Sequence, residues 1–216
     1  MYDLTGIYLS PPKQDPADPL AVNNGADMSD KLTKVPQDPK QVAEALKSRQ
    51  TEFAQAFTQI ISLMMRDPKY RGIRLSDLEW LVLPAVVSGQ WQIAHGVATK
   101  PDAGAGAEAK PNQPNPNQPN FAFPVAAALW ARVSPEVDAR LSQGLDKPIV
   151  LKAEDWTSGT IVWLIAIVGE QLYLQKFLEQ LHGTTFKGHP VKLRGAGADG
   201  KPMLRTLDDL LKKPTA

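Results

Sequence analysis

Apolar residues recur at helical spacing through Val42, Leu46, Phe53, Phe57, Ile60, Ile61 and Met64, which predicts one long helix. Asp38 and Pro39 stand where an N-cap and a first helical residue belong. Asp67-Pro68 ends the run, because proline lacks the amide that would continue it. The capping box Ser76-x-x-Glu79 predicts a second helix that buries Leu78, Leu81, Val82 and Ala85, kinks at Pro84 and stops at Gly89. Residues 91–98 and 121–132 read as strands, and Ser134-Pro135-Glu136 opens a short helix that Gly144 closes. Residues 148–156 and 160–168 read as two more strands around a Ser158-Gly159 turn. The second of them is apolar throughout, as expected of a strand covered on both faces. Residues 170–181 are amphipathic through Leu172, Phe177, Leu178 and Leu181, with Gly183 as the stop. Residues 191–194 and 201–205 suit a hairpin across GAGADG, after which Thr206 caps a last helical turn.

This order predicts an α+β (mixed α/β) fold, with helices packed on a mainly antiparallel sheet. Two stretches break the pattern. Residues 1–37 are rich in Pro, Asp and Asn without a sustained period, and read as a disordered N-terminal arm. Residues 99–120 contain the near-repeat PNQPNPNQPN, where proline removes backbone donors and asparagine favours turns. The apolar stretches on either side are too short to fold separately, so this tract reads as an insertion within a single domain spanning 38–213.

The chain of 216 residues is 43% hydrophobic with a formal net charge of +1, which suits one soluble core and gives no bulk attraction to nucleic acid. Mean hydropathy is -0.27. The absence of cysteine removes disulfides, thiolate chemistry and Cys-based zinc sites, and no metal site is expected. No basic and apolar leader opens the sequence, and its longest strongly apolar run, residues 161–168, is far short of the roughly 20 residues a membrane helix needs. A cytoplasmic protein without a transmembrane segment is the expectation.

Three segments carry a family likeness: RDPKYRGIRLSDLEWLVLPAVVSGQW (66–91), FPVAAALWARVSPEVDARL (123–141) and AEDWTSGTIVWLIAIVG (153–169). In order and spacing, once residues 99–120 are set aside, they resemble the RTX toxin-activating lysine-acyltransferases (hemolysin-activating proteins). AEDWTSG is the most specific piece. The likeness spans about residues 60–182, with a weak tail to about 207. It implies a GNAT-like acyltransferase fold and a fatty acyl chain taken from acyl carrier protein. The acceptor it implies is an internal lysine of an RTX-type secreted protein. Acyl-loaded carrier protein is then a co-substrate and no cofactor is needed; a homodimer is left open.

Transfer from a thioester to lysine requires a neutral amine, yet free lysine has a pKa near 10.4, so a base and help for the oxyanion are needed. The family uses a histidine and an aspartate. In this chain Tyr70 stands at the histidine position, Ala166 at the aspartate position and Asp67 at the serine position of the motif, while the motif arginine is retained as Arg71. Tyrosine is a poor base at neutral pH and alanine orients nothing. Turnover is therefore in question, and a catalytically silent homologue that binds carrier, acyl chain or client is the alternative. An unrelated α+β domain that mimics the motifs is a third, weaker reading.

Asp67 reads either as a relocated carboxylate or as the cap that ends the first helix. Trp156, Thr157, Ser158 and Gly159 read either as a turn with a buried tryptophan or as part of the acyl or acceptor site, together with Arg71. Residues 67–71 and 153–159 are expected to form two walls of one acyl-receiving cleft. His95, His182 and His189 suit surface or capping roles. Between Lys176 and Lys213, eight Lys/Arg against four Asp/Glu either steer an acidic carrier protein or make an ordinary solvated face.

Overall fold

The computed structural model describes residues 7–9, 39–98, 121–197 and 199–212. Six strands form one sheet in chain order: β1 (Ile7–Leu9), β2 (Trp91–Ala98), β3 (Phe121–Val133), β4 (Ile161–Gly169), β5 (Val191–Ala196) and β6 (Pro202–Thr206). All neighbours pair antiparallel except β4 and β5, which run parallel and are joined by helix α5 (Gln171–Gly183). The fold is α+β with a mostly antiparallel sheet.

β3 is the spine of the sheet. Residues 125–131 are buried along its length, and alanine at 126, 127, 128 and 131 keeps both faces thin enough for close packing. One face is covered by α1 (Pro39–Arg66), α2 (Leu78–Leu81), α3 (Leu83–Ser88) and a 3₁₀ turn at Ala153–Thr157, with Ile60, Met64, Trp156 and Trp163 at the centre. The other face is covered by α5 and the terminal α6 (Leu207–Leu211), through Phe177, Leu181 and Leu207. Each such side chain, taken fully out of water, contributes about 1.5–3 kcal/mol. Helix α4 (Pro135–Gln143) is capped by the Ser134 hydroxyl, which accepts from the Val137 amide.

Several expectations need correction. Of the arm at 1–37, Ile7–Leu9 are described and form the edge strand β1; the rest lies outside the described residues, as does the tract 99–120. That tract joins neighbouring strand ends, because Ala98 pairs with Phe121. Residues 148–156 are not a strand. Where β4 begins, both its edges are taken by β3 and β5, and the segment instead turns through Ala153–Thr157, where Asp155 accepts the Lys152 amide at 3.0 Å. The box expected at Ser76 is replaced by Asp77, whose carboxylate accepts from the Arg74 amide at 2.8 Å and starts a 3₁₀ turn before α2. The helix breaks at Val82, ahead of Pro84, and Gly89 ends α3 at φ 72. Val42 and Leu46 are exposed because α1 runs on past the sheet. Leu172 is also exposed, and Tyr173 takes its place against the core.

Candidate functional site

Only Val162 and Trp163 of β4 pair with β5, at Val191 and Lys192, so the two parallel strands separate toward the end of β4. The Glu170 amide donates to Val125 O at 3.2 Å, which fixes the alternation along the β3–β4 ladder. With that phase, the N–H and C=O of Ile167 point away from β3, into the gap. A cavity of about 890 Å³ opens beside this edge. Leu63, Ile167, Leu174, Leu178 and Leu211 give it an apolar floor, and Arg66, Asp67, Lys69, Glu170 and Lys212 stand around it. Its size lies within the usual range of small-molecule sites.

Asp67 follows the last residue of α1. Its carboxylate accepts the Lys69 amide at 2.9 Å and caps the 3₁₀ turn Pro68–Tyr70, so it does end the helix; it also lines the cavity. The turn aims Tyr70 at the sheet, where its hydroxyl donates to Ile167 O across a long 3.3 Å. Burial, and secondly the nearby Asp67 carboxylate, push the phenol up to about 12, an effect the bond to Ile167 O partly offsets. At pH 7 about one molecule in 10⁵ carries the phenolate, so Tyr70 is a hydrogen-bond donor and no base. Ala166 is buried in the core cluster against which Tyr70 packs. The fold therefore brings the two positions to one side of the sheet, as a phenol and a methyl group.

The AEDWTSG segment lies elsewhere. Gly159 precedes β4 and Ile167 is eight residues on, about 26 Å away along an extended strand. The two segments thus sit at opposite ends of β4 and do not wall one cleft. Trp156 is fully buried; its indole N–H donates to Trp80 O at 3.1 Å, and its own carbonyl accepts from the Gln90 side chain at 3.0 Å. Asp155 pairs with Arg140. Ser158 Oγ accepts the Ser134 amide at 2.9 Å and donates to Asp155 O at 2.9 Å. A Cβ on Gly159 would lie 2.4 Å from Val133 O, so glycine is required by close backbone approach. Thr157 and Arg71 are exposed. These contacts hold the fold together and leave Trp156 no surface to offer a ligand.

The three histidines lie away from the cavity. His95 Nε2 is 3.1 Å from Gln59 Oε1, and burial lowers its pKa below the ordinary value of 6.5. His182 Nε2 is 2.8 Å from Asp208 Oδ1, tying α5 to α6, and His189 is exposed. Among the described residues no cluster of His, Cys, Asp and Glu has the form of a metal site, and no helix is long and apolar enough to cross a membrane.

Sequence reasoning missed most of the cavity: Arg66, Lys69, Glu170, Leu174, Leu211 and Lys212 come from three separated segments. One signal was present, since Glu170 directly follows the apolar strand that carries Ala166. No curated protein matches the chain. Residues 118–206, covering β3 to β6 and including Ala166 but not Tyr70, match the family model of HlyC, the RTX toxin acyltransferase family, in agreement with the likeness carried by the second and third sequence segments.

Proposed function

We propose that this protein binds a fatty acyl chain in the cavity at the end of β4 and does not transfer it. The observation that carries this reading is an apolar cavity at the end of β4, while Tyr70 and Ala166, which stand where the family places its base and the partner of that base, lie outside its lining and cannot do that work. In transfer, the lysine amine attacks the thioester carbonyl, the C–N bond forms and the C–S bond breaks. The ammonium proton goes to a base and the thiol departs. A phenol raised to about 12 cannot take that proton at neutral pH, and alanine cannot support an imidazolium. An apolar floor that can hold a chain is present. In this reading the protein works in the cytosol without a cofactor, beside acyl carrier protein and an RTX-type client.

A second reading keeps transfer from acyl carrier protein to an internal lysine and gives the proton to Asp67. It is favoured by one observation, that this carboxylate lines the cavity. The two separate in one experiment. The full chain is incubated with acyl-loaded carrier protein and an RTX-type acceptor, and intact mass is followed alongside acyl binding. Binding with no acyl increment on any lysine supports the first reading. An increment that disappears in Asp67→Asn establishes the second.

A further inference from the structure

The cations around the cavity already have partners. Arg66 donates to Pro124 O at 2.8 Å and to Ser62 O at 3.3 Å, and lies 4.0 Å from Glu170. The Lys212 ammonium is 3.6 Å from Asp209, and that of Lys69 lies 5.3 Å from the centre of the Tyr70 ring. Asp67 and Glu170 add two carboxylates to these three cations. A free carboxylate or a phosphate head group would have to displace those partners and then face the carboxylates. A neutral head group has neither cost.

The wall beside the floor suits such a head group. Ile167 turns its N–H and C=O toward the cavity side of β4, and among the described residues the C=O has only a long bond from Tyr70. An amide laid along this edge meets one donor and one acceptor, as an added strand would. A thioester has no N–H to give. Resting on the acyl-binding reading above, we infer that the cavity takes a long-chain N-acyl amide, the side chain of a fatty-acylated lysine in an extended segment. The protein then recognises this modification instead of making it.

Calorimetric titration of the full chain with three probes tests this: a peptide carrying Nε-myristoyl-lysine, sodium myristate below its aggregation threshold, and myristoyl-loaded acyl carrier protein. The unmodified peptide serves as the baseline. The expected result is a Kd for the acylated peptide at least about tenfold below either other probe, changing less than about threefold between roughly 50 and 500 mM salt. Myristate or the loaded carrier binding as tightly as the peptide overturns the inference while leaving the acyl cavity standing. A steep loss of peptide binding with salt does the same. Failure of all three probes to bind overturns the acyl-binding reading as well.

Discussion

At the start of β4, the Asp155 carboxylate, the Trp156 indole and the Ser158 hydroxyl each bond to a different part of the chain, and Trp156 is wholly buried. At the end of the same strand, the neighbouring β5 has drawn away, Ile167 keeps one long side-chain bond, and the space beside it is a cavity. One strand thus carries a closed end that stabilises and an open end that can receive a ligand. The most distinctive motif in the sequence marks the closed end, which shows that a memorable heptapeptide can be a folding element.

The sharpest way to break this comparison is Trp156→Ala. Removing a fully buried indole with a satisfied N–H should cost about 3–5 kcal/mol. Urea denaturation reads the loss. At temperatures where the variant remains folded, acyl-ligand affinity should be unchanged, and a stability loss below about 1 kcal/mol would contradict the closed-end description.

The same substitution at both ends sharpens it further. Gly159→Ala and Gly169→Ala each bring a Cβ to 2.4 Å from a β3 carbonyl, Val133 O and Val125 O respectively. Each should cost about 1–3 kcal/mol through overpacking, with added strain at Gly169, whose φ is +142. Only Gly169 lines the cavity, so only its variant should also weaken acyl binding; equal effects on binding would erase the distinction.

Tyr70→Phe is a smaller perturbation. Losing a 3.3 Å bond should cost about 0.5–1 kcal/mol and leave acyl binding within about threefold, because the hydroxyl is no base. In the parent protein the raised phenol keeps its proton in the folded state while the unfolded chain loses it near 10. That contribution to stability is therefore complete below pH 10 and is lost as pH rises through about 12. Burial raises Tyr173 as well, so ultraviolet titration should show more than one late-ionising tyrosine, with one such step lost in Tyr70→Phe.

The least effect is expected from His95. Burial lowers its pKa, so on acidification the unfolded chain takes up the proton first and stability falls as pH drops below 6.5. Denaturation midpoints of His95→Gln should show a shallower decline over that window than the parent protein does.

Periodicity made most of the fold legible. The end of α1, the positions of β2 to β4, the cap at Ser134 and the β5–β6 hairpin all follow from local patterns that tertiary packing leaves intact. Residues 148–156 were misread because alternation identifies a strand only if a sheet edge is free to take it, and at the start of β4, where this segment arrives, both edges are taken. Leu172 and Leu46 were misread because period alone does not say where the sheet stops or how a helix is turned. The cavity was hidden for a different reason. Its floor is made of ordinary leucines from distant segments, and what defines it is the divergence of β4 from β5, which no local signal encodes.

The register that sets Ala98 against Phe121 has a consequence for how this protein tolerates change. The sheet already joins the two anchor points, Ala98 and Phe121, and the closure cost of a connection between them grows only as a logarithm of its length. Insertions, deletions or a grafted epitope tag in residues 99–120 should therefore pass with little penalty to the β2–β3 ladder, making this the natural place to attach a reporter.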